Sequence, residues 1–294
     1  MAQVRKLPGG ISELGEGPSY DRKTDTAFWF DILGRRLYEH RFATGETVSH
    51  DLPRMASVLA RVDDARQLVA MEDSLYLRDR AYGTLTHLLA LTVDGSATRS
   101  NDGRVHPSGR LWVSTMGRKA ERGAGAIHWS DGREARRIFT DITIPNSICF
   151  SPDGTVGYFA DTTINRVFRV AVDPSTGLPA GEPEPFLTDA DLPRGGGFDG
   201  SVVDADGVLW NASWGGGSVT GFAPDGSVVE THEIPAVQAS CPCFVGQALD
   251  SLLVTSAFEG YSPADRAADP QAGHAFVVEG GFRGQAEPDF RLAV

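Results

Sequence analysis

The chain has 294 residues, of which 41% are hydrophobic and 22% charged, a balance that excludes a disordered protein and allows a large buried core. Its formal net charge of -12 opposes binding to phosphate backbones and anionic lipid, so neither nucleic acid nor membrane is expected as a partner. No uninterrupted apolar run approaches about 18 residues and no signal-type apolar region opens the chain, so we expect a cytoplasmic protein.

Strand-like segments dominate the chain from its start to its end. In order, "TAFWFDI", "GRLWVST", "GYFADT", "GVLWNAS" and "SLLVTSA" are short, rich in aromatic and β-branched residues, and bounded by Gly, Pro or Asp. No window sustains the spacing of an amphipathic helix beyond about two turns. The sequence therefore predicts an all-β protein.

Three of the strand segments share a turn glycine followed by an aromatic residue. The pairs are Gly109 with Trp112, Gly154 with Tyr158, and Gly207 with Trp210. The glycines are 45 and 53 residues apart, a period typical of four-stranded blades. Further units at "FWFDILGRRLYEHRFATGE", "QLVAMEDSLYLRD" and "DSLLVTSAF" with "HAFVVEGGFRG" bring the number to six. We predict one six-bladed β-propeller domain over residues 1–294; a pair of β-sandwiches is the alternative, but it requires no such repeat.

The cysteines and histidines give weak signals. Three cysteines are too few for a disulfide framework and suit a reducing compartment. Cys241 and Cys243 could ligate a metal, but without a second cluster they are better interpreted as small apolar side chains in a strand. The seven histidines show no HxH or HxxxH spacing, so a zinc site made of histidines is not expected, and we expect most of them at the surface or in turns.

Three candidate oxygen donors lie in segments rich in glycine and proline, which we interpret as turns. They are Glu16 in "LGEGPSY", Asn146 in "IPNSICFSPDG" and Asp199 in "GGGFDGSVVDADG". The innermost strands of a propeller border a central channel, so such residues could converge there on a divalent cation, which prefers several oxygen ligands. Taken singly, each residue could equally cap its own backbone in a turn.

Four longer segments of the chain are, in order, "LGEGPSYDRKTDTAFWFDILGRRLYEHRFATGE", "RSNDGRVHPSGRLWVSTMG", "PNSICFSPDGTVGYFADT" and "DGSVVDADGVLWNASWGGG". They resemble the successive signatures of the regucalcin/gluconolactonase family of sugar lactonases. The resemblance covers nearly the whole chain and implies a six-bladed propeller with one catalytic divalent cation. It implies Glu16, Asn146 and Asp199 as metal ligands. It also implies that Arg99 and Asn101 contact the hydroxyls and ring oxygen of a sugar lactone.

The resemblance further implies metal-assisted hydrolysis of an aldonolactone, with Asp199 as both ligand and general base. The glycines before Asp199 would let the backbone turn tightly into the channel mouth. Calcium is the favoured cation, and zinc, magnesium, manganese and iron remain open. Two alternatives also remain: an esterase or organophosphate hydrolase on the same propeller, and a non-catalytic propeller that binds calcium. The sequence indicates no oligomeric state.

The chain departs from the family pattern at two places near the candidate site. Some members carry an acidic substrate contact where this chain has Lys119, with Glu121 close by, so the sugar preference stays open. Phe198 replaces a proline beside Asp199, which could change how that segment lies. Trp214 could line the channel mouth, although an aromatic residue in a strand more often belongs to the core.

Overall fold

The computed structural model describes residues 3–92 and 97–293. Within these ranges the chain forms 24 strands, one short α-helix and two single-turn 3-10 helices, so the predicted all-β class is confirmed. The strands are β1 (Gln3–Lys6), β2 (Gly15–Asp21), β3 (Thr26–Asp31), β4 (Arg36–Arg41), β5 (Glu46–Asp51), β6 (Ala56–Arg61), β7 (Arg66–Met71), β8 (Ser74–Asp79), β9 (Leu85–Ala90), β10 (Thr98–Val105), β11 (Leu111–Gly117), β12 (Gly125–Ser130), β13 (Ala135–Ile142), β14 (Pro145–Phe150), β15 (Val156–Asp161), β16 (Arg166–Ala171), β17 (Glu184–Thr188), β18 (Gly197–Val203), β19 (Leu209–Trp214), β20 (Ser218–Phe222), β21 (Val228–Glu233), β22 (Ala239–Val245), β23 (Ser251–Ser256) and β24 (Phe276–Glu279). The helix α1 spans Pro263–Ala268, and the 3-10 helices span Thr162–Ile164 and Asp189–Asp191. No helix in the described ranges is long and apolar enough to cross a membrane.

The strands form six antiparallel sheets of four strands each, which confirms the predicted six-bladed β-propeller. Five sheets use four consecutive strands, from β2–β5 through β18–β21. The sixth sheet combines β22, β23 and β24 with β1 from the opposite end of the chain. The N-terminal strand thus completes the last blade and closes the ring.

One strand of each blade lines a central channel. β2 contacts β6, β6 contacts β10, and the series continues through β14, β18 and β22 back to β2. These six inner strands come from all parts of the chain. Side chains at matching positions on them therefore meet at one end of the channel, although they are far apart in sequence.

The core lies between neighbouring blades. Trp112 and Ile127 of the third blade, for example, pack with Phe150 and Phe159 of the fourth. The rings of Trp112 and Phe150 meet edge to face with their centroids 5.0 Å apart. Each large apolar side chain buried in this way contributes about 1.5–3 kcal/mol to stability. All three aromatic residues that follow the turn glycines are buried in these layers, as the repeat predicts.

The cysteines match their prediction, and the histidines match theirs in part. All three cysteines are buried free thiols. The expectation that most histidines lie at the surface or in turns fails for His40, His128 and His232, which are buried in strands. His106 is also buried, but it lies in the turn between β10 and β11. These buried rings have polar neighbours, as when the ring of His128 lies 3.1 Å from the Thr115 hydroxyl on the adjacent strand.

The C-terminal segment, residues 282–293, crosses the end of the channel where the inner strands finish. Its Phe290 donates a backbone hydrogen bond to the carbonyl of Arg61 at the end of β6. Its Glu287 forms an ion pair with Arg104 of β10. This segment covers one end of the channel. It does not cover the other end, where the inner strands begin.

Candidate active site

A cavity of about 390 Å³ lies at the end of the channel where the inner strands begin. Its walls include the five residues singled out from the sequence, Glu16, Arg99, Asn101, Asn146 and Asp199. These residues come from four inner strands, β2, β10, β14 and β18. The fold therefore brings together in one cavity side chains that are up to 183 residues apart in the sequence.

The prediction that the three oxygen donors lie in turns is wrong. All three lie within inner strands, where pairing with the next strand of the blade is interrupted. Asp199 lies in the register shift between Phe198 and Ser201, and the same irregularity follows Glu16 and Asn146. Such bulges bend a strand and redirect its side chains, here toward the cavity. Glycine and proline mark these bulges in the sequence, which is why the segments resemble turns.

Two glycines permit this backbone path. Gly17 has a φ of 55°, and a Cβ added to it would lie 1.9 Å from the carbonyl oxygen of Ser57. The N–H of Gly17 donates to Oε2 of Glu16 at 3.1 Å, which holds the carboxylate beside the bulge. Gly196, in the glycine run before Asp199, has a φ of 88° and would place a Cβ 2.5 Å from the carbonyl oxygen of Trp214. Only glycine meets both requirements at these positions.

A hydrogen-bond chain fixes the orientation of the Asn146 amide. Its Nδ2 donates to the hydroxyl of Thr162 at 2.9 Å. That hydroxyl donates its single proton to the carbonyl oxygen of Phe198 at 2.7 Å, so it can only accept from Asn146. The Asn146 Oδ1 therefore lies on the other side, where it accepts from Nδ2 of Asn101 at 2.7 Å and keeps one lone pair. Nothing in the local sequence marks Thr162 as part of the site.

Arg99 and Asn101 form the next part of this chain. Nη1 of Arg99 donates to Oδ1 of Asn101 at 2.7 Å and to the carbonyl oxygen of Ser100 at 3.0 Å. Arg99 is only 7% exposed, and burial lowers its pKa while Glu259 and Glu16 oppose that shift. A guanidinium stays charged even so, which makes Arg99 a fixed positive charge inside the cavity.

The two carboxyl groups of the site repel each other. Burial raises the pKa of Glu16 to about 8, and the charge of Asp102 adds to the shift. Burial, followed by the charge of Glu16, raises the pKa of Asp199 well above its usual range. An added positive charge in the cavity would favour the ionised form of both groups.

These residues fit a hard divalent cation. Two carboxylates and an oriented amide oxygen are ligands that calcium, magnesium and manganese prefer. Within residues 3–92 and 97–293, no three His, Cys, Asp or Glu side chains are arranged to hold a metal. A cation site in this cavity therefore depends on the Asn146 amide as well as on the two carboxylates.

Other residues near the five site residues were only partly predicted from the sequence. Trp214 lines the cavity, which agrees with the less favoured of its two interpretations, a position at the channel mouth. Lys119 lines the cavity as well. The ring of Phe198 is fully buried, with its centroid 6.2 Å from that of Phe222. The phenylalanine that stands where the family pattern has proline therefore places its side chain in the core and not in the site. Glu259, from the loop after β23, was missed because nothing in its local sequence marks it.

Residues 14–258 match the family described as the SMP-30/Gluconolactonase/LRE-like region. The chain belongs to this family. A Rhizobium meliloti (strain 1021) relative, provisionally named a sugar lactone lactonase, is 48% identical and aligns over 98% of this chain and 97% of its own. The L-arabinolactonase of Azospirillum brasilense is 34% identical over 98% of this chain and 95% of its own. The crystal structure of a calcium-binding protein, regucalcin, from Agrobacterium tumefaciens strain C58 is 47% identical, with a TM-score of 0.96 over 99% of this chain and 98% of that chain.

Proposed function

We propose that this protein hydrolyses a sugar lactone to the open-chain aldonic acid, with one divalent cation and with Asp199 as general base. The observation that carries the proposal is the convergence of two buried carboxyl groups, an oriented amide and a buried arginine on one cavity. A lactone hydrolase is also the enzyme class of its SMP-30/gluconolactonase relatives, among them an L-arabinolactonase.

Glu16, Asn146 and Asp199 would hold the cation. When bound, it supplies the positive charge that polarises the lactone carbonyl. Oxygen-only ligands favour calcium, and a structure described as a calcium-binding regucalcin supports that choice; zinc, magnesium, manganese and iron are the other candidates.

Asp199 is held by its backbone, which leaves its carboxylate for chemistry. Its carbonyl oxygen accepts hydrogen bonds from the hydroxyl of Ser147 and from Nδ2 of Asn211. Its carboxylate makes no hydrogen bond to any residue that the structure describes. The carboxylate takes a proton from the water that attacks the carbonyl carbon and returns it to the ring oxygen as the C–O bond breaks. The net reaction adds one water to the lactone.

Arg99 and Asn101 would orient the sugar. In the described part of the chain, Nε and Nη2 of Arg99 have no hydrogen-bond partner, while Nη1 is fixed by Asn101. A buried arginine with unused donors is suited to a ligand rich in hydroxyl oxygens. Because Asn101 also donates to Asn146, the sugar-binding and cation-binding residues form one connected unit.

We also propose a cytoplasmic location. The three free thiols are buried and unpaired with each other, which suits a reducing compartment.

The test is a panel of aldonolactones offered to protein stripped with a chelator and then reloaded with single metals. We expect lactone opening above the spontaneous rate only after reloading, with one ion bound per chain. Asp199→Asn should abolish it, while Asp225→Asn, the same change in an exposed turn, should leave it unchanged.

Three results would contradict the proposal. Activity that survives complete chelation would show that the reaction requires no cation. Turnover of aryl esters or organophosphates without turnover of lactones would indicate the esterase alternative. Calcium binding without turnover of any of these compounds would indicate a non-catalytic propeller.

A further inference from the structure

The loop between β11 and β12, residues 118–124, forms part of the cavity wall. Lys119 of this loop lines the cavity and is exposed to solvent. Among the residues that the structure describes, no carboxylate lies within 4.0 Å of its ammonium group. Lys119 therefore brings a positive charge to the cavity without a close ion pair to the protein, and Glu121 interacts with it only at longer range.

Glu121 stabilises this loop and does not face the cavity. Its Oε2 accepts a hydrogen bond from the backbone N–H of Lys119 at 3.1 Å. A Cβ added to Gly117 would lie 2.2 Å from the same oxygen, so the carboxylate rests on the backbone at the base of the loop. Hydrogen bonds from the backbone, and to a smaller extent the charge of Lys119, lower the pKa of Glu121, which keeps it ionised in this role. The charged side chain that the loop presents to a substrate is thus a cation.

The other basic groups of the cavity wall have acidic counterparts. Nη2 of Arg118 lies 3.0 Å from Oε2 of Glu72. The largest favourable electrostatic interaction of Arg99 is with Glu259, and smaller ones follow with Glu16 and Asp199. If Glu16 and Asp199 hold a divalent cation, their charges are offset, and Lys119 is left as the basic group of the described cavity wall that has no acidic group within ion-pair distance.

We infer that the natural substrate is a lactone that carries an anionic group remote from its lactone carbonyl, and that Lys119 binds this group. The inference rests on the proposed lactonase function. A carboxylate, a sulfonate and a phosphate share the required chemistry. Because the whole chain has a net charge of -12, an anion is repelled over most of the surface, and a local cation in the cavity wall offsets that repulsion.

Two matched pairs of lactones isolate the anionic group. Galactaro-1,4-lactone differs from galactono-1,4-lactone only in a carboxylate in place of the C6 hydroxymethyl group. The 6-phosphate of glucono-1,5-lactone, compared with glucono-1,5-lactone itself, distinguishes a phosphate from a carboxylate. The variants are Lys119→Gln and Lys119→Glu. The control is Lys23→Gln, because the Lys23 side chain is 67% exposed and lies at the opposite end of the channel.

We expect the wild-type protein to favour the anionic member of at least one pair by roughly tenfold or more in kcat/KM. Lys119→Gln should remove about tenfold of that kcat/KM, mainly through KM, and should leave the neutral lactones unchanged. Lys119→Glu should lose more, and Lys23→Gln should match the wild type. Calorimetry with the open-chain pairs, galactarate with galactonate and 6-phosphogluconate with gluconate, gives a readout independent of turnover, in which only the member with the additional anionic group should bind more weakly to Lys119→Gln.

Equal kcat/KM within both pairs for the wild type would overturn the inference and leave the lactonase function intact. Equal losses for both members of a pair in Lys119→Gln would also overturn it, because the loop would then act through structure. If no lactone were hydrolysed, the proposed function would fail, and calorimetry would still decide the anion site. Tighter binding of galactarate or 6-phosphogluconate that depends on Lys119 would retain the site, whereas equal binding within both pairs would remove it.

Discussion

Asn146 can present its oxygen to the cavity in only one way, because the Thr162 hydroxyl donates its proton to the carbonyl of Phe198. The same amide oxygen accepts from Asn101, whose own oxygen accepts from Arg99. At the residue scale, the site is therefore a series of polar groups in which each orients the next. Residues that never touch the cation or the sugar can still decide how well both are bound.

Thr162→Val tests this orientation, because valine has the same shape and no hydroxyl. We expect it to lower cation affinity by about 10-fold or more in calorimetry, since the Asn146 amide is then free to flip. Thr163→Val changes an exposed neighbour in the same turn and should leave the affinity unchanged. Equal affinities of the wild type and Thr162→Val would mean that Thr162 does not orient the amide.

Arg99→Ala separates sugar binding from cation binding. We expect KM for a sugar lactone to rise roughly tenfold or more, because donors to the sugar hydroxyls are lost. Cation affinity should not fall, since Arg99 donates no hydrogen bond to a proposed ligand, and loss of its positive charge near Glu16 and Asp199 favours a bound cation. Unchanged kinetics would exclude Arg99 from the site, and a large loss of cation affinity would make its role structural.

At the scale of elements, the inner strands carry the site because each has a bulge at the same level of the channel. The register shifts in β2, β14 and β18 fall at the three proposed cation ligands. Gly17 shows the steric requirement most clearly, with its positive φ and its close approach to the backbone of the neighbouring inner strand. The bulge thus couples the packing of two blades to the position of Glu16.

Gly17→Ala should therefore cost far more stability than an ordinary glycine substitution. The matched control is Gly45→Ala, in the turn between β4 and β5, where φ is 69° but an added Cβ meets nothing within 4 Å. The control should lose about 1–2 kcal/mol from the left-handed backbone alone. Gly17→Ala should lose more than about 4 kcal/mol in denaturant unfolding, because the Ser57 backbone must also move. Equal losses would show that the close approach is not required.

The sequence predicts these elements unevenly, for physical reasons. The blades are predicted because short strand patterns recur along the chain and three of the blades repeat a turn glycine followed by a buried aromatic residue. The strand β1 is not predicted, because its four residues are mostly exposed and its partner, β24, lies at the other end of the chain. The five site residues are identified through family resemblance. Glycine and proline mark their bulges, but the same residues are typical of turns, so the local sequence does not separate the two. Thr162 and Glu259 reach the site through the folding of the chain, which no short sequence window contains.

At the scale of the whole molecule, the ring depends on contacts between the two ends of the chain. β1 pairs with β24 from Gln3 opposite Glu279 to Lys6 opposite Phe276, and Arg5 forms an ion pair with Glu279. The C-terminal segment then crosses the far end of the channel and contacts strands of several blades. We propose that residues 1–294 form one cooperative domain, because no blade can open without exposing the inner faces of its neighbours.

Deletion of residues 1–6 tests this closure. We expect wild-type protein to unfold in one thermal transition, and the deletion to lower its midpoint by roughly 5–10 °C, because β24 loses its partner strand and a bare sheet edge is exposed. Calorimetry measures both quantities. Two separate transitions in the wild type would contradict a single cooperative unit, and an unchanged midpoint would show that β1 does not close the ring.

The most direct test of the proposed site compares Asp199→Asn with Glu16→Gln at a cation concentration that saturates both variants. Both residues are proposed ligands, but only Asp199 is proposed to move a proton, and general-base catalysis contributes on the order of 100-fold or more. With spontaneous lactone opening subtracted, Glu16→Gln should recover much of the wild-type turnover, and Asp199→Asn should remain at least about 100-fold slower. Wild-type turnover by cation-saturated Asp199→Asn would contradict the proposed role of Asp199.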